Sequence, residues 1–520
     1  MVVFDTSYEV KVTSTIRQLI ARQARSNPAI GARDKDWLTY ETLINLGSEV
    51  RRELRKVGIG KDDRVAVVLP NGPEMATAFL TIAQSAVCAP LNPSYREEEF
   101  KFYYADLKAR AVILLHDSDG PANSAADALG LMKIQMQTHP DMPAGYFSLS
   151  SDQHGRASTS NSLDPESEDT ALILHTSGTT SRPKIVPLTH ANLTNSAANI
   201  QQALELSERD ICMNIMPLFH IHGLIATVLS SISSGASVWC SSGFSALNFY
   251  QLLDEVKPSW YSAVPTMHQT ILARSERNKT VIENSSLRLI RSSSASLPGP
   301  VMRQLSQTFR VPVIESYGMT EATHQMTSNP LTNGSQKPGS VGIPAGPDVA
   351  VADPANNRLI KGIGEIVISG KNVTPGYEGN ASANEQSFFY AHDKRWFRTG
   401  DQGRFDEDGY LILTGRLKEI INRGGEKIGP LEVDGVISSH SDVLQVVTFA
   451  IPHPTLGEEV GAAIVLRDGA NITEKDLKAF CASSLSAFKI PSKIVFVDEI
   501  PKGATGKLQR IGLAEKLNLT

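Results

Sequence analysis

The segment Leu174-His175-Thr176-Ser177-Gly178-Thr179-Thr180-Ser181-Arg182-Pro183-Lys184 crowds five hydroxyls, one glycine and a lysine into eleven residues. Such a loop offers backbone N–H groups and hydroxyls to phosphate oxygens, and Lys184 adds a point charge. It lacks the G-x-x-x-x-G-K-[ST] spacing of the common P-loop, and composition alone favours a Ser/Thr-rich surface turn. Three other groupings carry chemistry the loop lacks. In Tyr317-Gly318-Met319-Thr320-Glu321 a tyrosine ring beside a glycine can lie against a planar base. Glu321 is a hard oxygen ligand of the kind Mg²⁺ takes alongside phosphates; a plain strand–turn reads the same way. Asp401, in Thr399-Gly400-Asp401, can accept both hydroxyls of a ribose, and Arg416 can reach ribose or phosphate. Asp408-Gly409 nearby marks a hairpin turn. Lys507, in Gly503-Ala504-Thr505-Gly506-Lys507, follows two glycines that favour a permissive backbone, and a solvated tail lysine is the plain alternative.

These residues need elements to hold them. Ala171-Leu172-Ile173-Leu174 reads as a buried strand feeding the hydroxyl-rich loop. Arg64-Val65-Ala66-Val67-Val68-Leu69 reads as another, ending at Pro70-Asn71-Gly72-Pro73, with a helix expected over 74–85 and a strand over 111–115. This rhythm predicts α/β layering with partly parallel sheets. Further strands are expected at 236–239, 287–291 and 311–315. Residues 152–169 are rich in Ser, Asn, Asp and Gly and read as a polar connector. Beyond about Thr414 the chain becomes more charged and carries its own signals: strands at 445–451 and 494–497, and a helix over 473–484 opened by Thr473-Glu474-Lys475-Asp476. The expected organisation is a large α/β N-terminal domain over 1–415, a hinge at 416–418, and a small α+β C-terminal domain over 419–520.

Composition excludes several classes. With 41% hydrophobic and 20% charged residues the chain is an ordinary globular protein, and a net charge of −5 over 520 residues leaves no footprint for nucleic acid. Cys88, Cys212, Cys240 and Cys481 lie far apart without metal-type spacing, which suits a reducing compartment. The start of the chain lacks a signal-peptide pattern. The stretch 76–91 is too short and too polar to span a bilayer, and Asn518-Leu519-Thr520 is no peroxisomal address. The expectation is a soluble cytoplasmic protein without membrane or nucleic-acid partners, monomeric or weakly homodimeric.

Taken in order, the loop at 176–184, Tyr317-Gly318-Met319-Thr320-Glu321, Thr399-Gly400-Asp401, Gly415-Arg416-Leu417-Lys418-Glu419 and Pro501-Lys502-Gly503-Ala504-Thr505-Gly506-Lys507 resemble the motifs of the adenylate-forming superfamily: acyl-CoA synthetases, luciferases and peptide-synthetase adenylation domains. The resemblance runs over nearly the whole chain and implies the fold of that superfamily. It also implies a reaction in which a carboxylate attacks the α-phosphate of ATP, giving acyl-AMP and pyrophosphate, and a thiol then displaces AMP. Both first reactants are anions, so positioning and charge neutralisation must carry the rate.

The resemblance further implies roles. Thr176, Ser177, Gly178, Thr179, Thr180 and Lys184 would wrap the β- and γ-phosphates. Glu321 would hold Mg²⁺, and Thr320 would touch the α-phosphate. Tyr317, with Gly318 beside it, would stack on adenine next to the Ser294-Ala295 backbone. Asp401 would hold the ribose with Arg416 near. Lys507 would reach the α-phosphate and the attacking carboxylate. Rotation at Lys418 would then withdraw Lys507 and bring Gly424, Gly425 and Lys427 to the coenzyme A channel. Ser181 and Ile185 stand where glycine is more usual in the family, and Ile185 is expected to stiffen the loop.

For the acid, the segment Met216-Pro217-Leu218-Phe219-His220-Ile221-His222-Gly223 lacks the aspartate that pairs an amino group in peptide-synthetase domains, so an amino acid is disfavoured. His220, Ser292, Ser294 and His324 predict a small polar pocket, and a second carboxylate on the substrate needs such donors. His220 as a gate and His324 as a supporting hydrogen-bond partner remain open, and His175 and His222 read as structural. The stretches 174–187, 216–223, 291–297, 321–330 and 422–428 are similar to the oxalyl-CoA synthetase group, which makes oxalate the expected acid, with coenzyme A as co-substrate. The alternatives are a medium-chain or aromatic acyl-CoA synthetase and a stand-alone enzyme that loads a carrier protein.

Overall fold

Apolar runs flanked by Gly, Pro and capping residues become strands and helices close to where the sequence places them. The structure is a computed structural model and describes residues 15–151, 164–176, 183–331, 336–502 and 508–519. Two compact units emerge. One comprises Met1–Ser262, Gly318–Gln325 and Gly370–Ala381, the other Ala263–Tyr317, Met326–Ser369 and Ser382–Thr520.

In the first unit a seven-stranded sheet runs Phe147–Ser150, Met132–Thr138, Ala111–Leu115, Arg64–Val68, Val87–Pro90, Thr170–Thr176, Lys184–Thr189. Its central strands are parallel, with Val65 opposite Ala111 and Cys88 opposite Leu172, as the strand–helix–strand pattern requires. The helix expected over 74–85 spans Pro73–Ile82 and is entered by Gly72 with proline at its first position. Phe100, Tyr104, Val112, Leu114, Ile173 and Ile185 share a buried cluster. A second parallel ladder joins Pro28–Gly31, Ser237–Cys240 and Ile211–Asn214. Among the described residues no helix is long and apolar enough to cross a membrane, and all four cysteines are buried thiols.

The strands Leu289–Ser292, in the second unit, and Val313–Met319, in that unit as far as Tyr317, run parallel, placing Ser292 opposite Glu315. The latter strand starts after Pro312, which has no N–H to give a ladder. The strands Asp348–Ala352, Gly364–Ser369, Lys394–Phe405 and Phe388–Ala391 form an antiparallel sheet, with Leu411–Arg416 added on Lys394–Phe405. The C-terminal part builds its own sheet from Glu426–Ile428, Ile421–Arg423, Gly457–Leu466, Val443–His453 and Lys493–Phe496. A separate core of Ile421, Val433, Val460, Ile464, Leu477 and Ile494 backs it. The Thr473 capping box is formed as expected, opening the helix Glu474–Ala482.

Candidate active site

The hydroxyl-rich segment connects two hydrogen-bonded strands: Thr176 pairs with Lys184 and His175 with Ile185. Ser177, Gly178, Thr179 and Thr180 lie outside the described residues, as do Ser181 and Arg182. Ile185 belongs to the strand and packs into the core, so the stiffness expected of it resides in the ladder at the end of the loop. Lys184 Nζ stands 4.2 Å above the centre of the Tyr377 ring, a favourable cation–π geometry. The Tyr377 hydroxyl donates to Glu321 Oε1 at 2.7 Å. One tyrosine thereby links the lysine of the loop to the candidate metal ligand.

Glu321 sits in the one-turn 3-10 segment Thr320–Ala322, buried, with its carbonyl accepting from the Thr374 N–H at 2.7 Å. The turn that follows needs Gly318: a Cβ there would stand 1.8 Å from the His324 carbonyl oxygen. Thr323 and His324 both hold positive φ, 51° and 96°, conformations that cost a β-branched or ring-bearing residue energy and persist only when neighbours fix them. The neighbours are present. Ser196 Oγ donates to the Thr323 carbonyl at 2.5 Å, Thr323 Oγ1 donates to the Asn372 carbonyl at 2.7 Å, and Asn372 Nδ2 donates to Ala322 and Gln325 carbonyls at 2.8 and 3.1 Å.

This backbone aims His324 at His222, with ring centres 5.0 Å apart. His222 opens the π-helix His222–Leu229, a form that recurs at functional sites. Its Nε2 lies 2.7 Å from Ser262 Oγ, and its backbone N–H donates to His220 Nδ1 at 3.2 Å. Both His222 and His324 are buried, and His220 is half-buried. Among the described residues no three His, Cys, Asp or Glu side chains gather into a metal cage. A single buried carboxylate at Glu321 matches Mg²⁺, which draws its other ligands from phosphates and water.

In the second unit Asp401 stands opposite Arg416 across the ladder of Lys394–Phe405 and Leu411–Arg416. Arg416 Nε lies 3.2 Å from Asp401 Oδ1, and the Tyr317 hydroxyl donates to Oδ2. Burial and the adjacent Asp401 carboxylate both push the Tyr317 phenol well above its ordinary range, so it stays a donor. A carboxylate has about four acceptor positions, and Arg416 and Tyr317 each engage one oxygen of Asp401. Asp408-Gly409 makes the expected turn, with Asp406 Oδ1 accepting from the Asp408 and Tyr410 N–H groups at 3.0 and 2.8 Å.

Ser294 has φ 72°, the left-handed region, and Ser294 and Ala295 are half-buried. Ser292 is fully buried, and its Oγ has no hydrogen-bond partner among the described residues. The same holds for Oε2 of Glu315 directly opposite. Burial pushes the Glu315 carboxyl up to about 8, against one opposing bond from the Leu297 N–H at 2.8 Å. Its ordinary value is 4.5, so the folded state binds a proton that the unfolded chain releases. The stability this carries is complete below pH 4.5 and drains as pH rises through about 8. Glu315→Gln keeps the Leu297 bond and removes the titration. Its melting temperature is expected to gain on the wild type by about 2–4 °C between pH 5 and pH 8, read from thermal melts at both.

Lys418 is exposed in the turn closed by Glu419 and Ile420 N–H groups on the Arg416 carbonyl. Gly424 and Gly425, φ 57° and 94°, form the two-residue loop of a hairpin in which Arg423 faces Glu426, the backbone a type I′ turn demands. They and Lys427 are exposed. Lys507 lies outside the described residues. Beside it, Lys502 and Leu508 form an antiparallel bridge, and Arg510 is held by Asp434 at 2.8 Å and Glu419 at 3.2 Å.

The first unit therefore carries Thr176, Lys184, His220, Gly318, Thr320, Glu321 and His324, and the second carries Ser292, Ser294, Ala295, Tyr317, Asp401, Arg416, Lys418, Gly424, Gly425 and Lys427. Sequence reading missed Tyr377, Ser262 and Arg510. Only the Gly376-Tyr377-Glu378-Gly379 punctuation hinted at the first, and the position of Arg510 just past Lys507 at the last.

The chain belongs to the AMP-binding enzyme family: residues 18–378 match the model of that enzyme, and 432–507 match its C-terminal domain. It is similar to the oxalate–CoA ligase of Arabidopsis thaliana, 42% identical over 96% of this chain and 97% of that one. It is also similar to the oxalate–CoA ligase of Saccharomyces cerevisiae, 40% identical over 88% of this chain and 87% of that one. The ATP-bound structure of MatB from Rhodopseudomonas palustris shares the fold, with a TM-score of 0.85, 27% identity, and coverage of 97% and 98% of the two chains.

Proposed function

We propose that the protein is an ATP-dependent oxalate–CoA ligase. One oxalate carboxylate attacks the α-phosphate of ATP, the bond to pyrophosphate breaks, and the thiol of coenzyme A displaces AMP from oxalyl-AMP to give the thioester. In this reading Thr176 and Lys184 with the intervening hydroxyls hold the β- and γ-phosphates, and Thr320 meets the α-phosphate. Tyr317 with Gly318 and the Ser294-Ala295 backbone holds adenine, and Asp401 with Arg416 holds the ribose. Mg²⁺ held at Glu321 supplies charge neutralisation on the phosphates. His220, Ser292, Ser294 and His324 face the acid. Residues 416–418 are the hinge between domains 1–415 and 419–520, with Gly424, Gly425 and Lys427 serving coenzyme A. Four buried thiols suit a cytoplasmic location.

The observation that carries the acid assignment is the buried His222–His324 pair, whose rings are 5.0 Å apart, His222 bonded to Ser262 and His324 carried by a turn that hydrogen bonds hold in place. An apolar tunnel for a fatty or aromatic tail has no use for two buried imidazoles, whereas a second carboxylate needs buried donors. The test is AMP release with coenzyme A and a panel of oxalate, malonate, acetate, octanoate and 4-coumarate. Oxalate is expected to show the highest kcat/KM, and His324→Ala to lower it about 10²-fold while changing acetate little. Octanoate or 4-coumarate outrunning oxalate would reject the reading.

A further inference from the structure

Away from every residue assigned so far, the helix Tyr40–Lys56 ends in a run of cations. Arg51, Arg52, Arg55 and Lys56, with Arg17 from the short helix Ile16–Ala21 and Ser48, line a surface concavity of about 520 Å³. Among the described residues two carboxylates face these five cations. Glu53 pairs with Arg52 at 3.2 Å and Lys56 at 2.9 Å. Asp164 is shared by Arg17, Arg51 and Arg55 at 2.7, 2.8 and 3.1 Å, although half of its own side chain is exposed.

Three guanidiniums thus divide one carboxylate. Each guanidinium presents five donors in a planar fork. The Arg51 side chain is 12% exposed, and its buried Nε has no hydrogen-bond partner among the described residues. Burial together with the charges of Arg17 and Arg55 pulls the Arg51 guanidinium below its ordinary range, with Asp164 opposing. Cations in the last turn of a helix complement its carbonyl end, which accounts for Arg55 and Lys56. It does not account for the buried, unpartnered Nε of half-buried Arg51 or for Arg17 arriving from another helix. The patch is also local, because the chain as a whole carries −5.

We propose that this concavity is a binding site for a phosphate-bearing anion, which takes the place of Asp164 on Arg17, Arg51 and Arg55. A phosphate group has more acceptor oxygens and more charge than one carboxylate and pairs with arginine forks in the same bidentate way. Asp164 then acts as an internal stand-in that the ligand displaces.

The probes are inorganic tripolyphosphate in solution and vesicles containing a phosphatidylinositol bisphosphate, each titrated into the full chain. Arg51→Gln and the more exposed Arg55→Gln are expected to weaken binding about tenfold, and Asp164→Asn to tighten it about tenfold, because the competing carboxylate is gone. AMP-release kinetics should be unchanged in all three variants, which separates this site from the ATP site. Response to tripolyphosphate assigns a soluble anion, and response to vesicles alone assigns a lipid headgroup. The proposal is overturned if neither probe binds, if the arginine variants bind as the wild type does, or if Asp164→Asn fails to tighten binding, as a purely structural tether requires.

Discussion

Replacing Lys507 with alanine is expected to lower acyl-adenylate formation about 10³-fold while leaving thiolysis of a supplied acyl-adenylate within about twofold. The first half-reaction brings a carboxylate onto a phosphate that is itself negative. A cation placed between them is worth most in a site that excludes water. The second half-reaction joins a thiol to a neutralised acyl group and has no comparable demand. The described residues on either side of the 503–507 segment are anchored. Lys502 bridges Leu508, the Gln509 N–H donates to the Pro501 carbonyl at 2.9 Å, and half-buried Arg510 is clamped by Asp434 and Glu419. ATP–pyrophosphate exchange reads the first step, and thioester formation from pre-made adenylate reads the second. Equal loss in both would refute a role confined to adenylation.

The second large effect is expected at Glu321. Glu321→Gln keeps an oxygen to accept the Tyr377 hydroxyl, now at 2.7 Å from Oε1, so the turn and the cation–π seat of Lys184 survive and the melting temperature should hold. What is lost is the charge. We expect kcat/KM for ATP to fall about 10²-fold and the Mg²⁺ concentration for half-maximal rate to rise, with part of the rate recovered at high Mg²⁺. Chelating the metal should silence both proteins. A rate loss indifferent to Mg²⁺ would instead assign Glu321 a purely architectural part through Tyr377.

Much of the local structure was legible because it depends on neighbours in sequence. The apolar run before the hydroxyl-rich loop is the strand Thr170–Thr176, and Thr473 caps its helix with Asp476. The misplacements are small and have causes. The strand expected from 311 begins at Val313, because Pro312 cannot donate. The helix expected to reach 85 stops at Ile82. Ile185, expected to act on the loop, is a strand residue whose side chain faces the core.

What escaped sequence reading depends on meetings across long separations. His222 reads as structural in the sequence, yet its ring lies 5.0 Å from that of His324, tilted against it, and bonds Ser262. Nothing near Tyr377 in the chain reveals that it spans Lys184 and Glu321. Gly318 reads as part of a motif, but the reason for a glycine is the approach of the His324 carbonyl.

By itself the sequence determined which reactive groups exist, their order, and the strands and turns that present them, since hydrogen-bond periodicity and turn chemistry act over a few residues. Only the tertiary structure decided their state. It gave Asp401 both Tyr317 and Arg416 as partners, raised the Glu315 carboxyl to about 8 by burying it, and brought the His222 ring to 5.0 Å from that of His324, which sits in a strained turn. Solvent exclusion and through-space charge set those properties, and neither is defined until distant parts of the chain have packed.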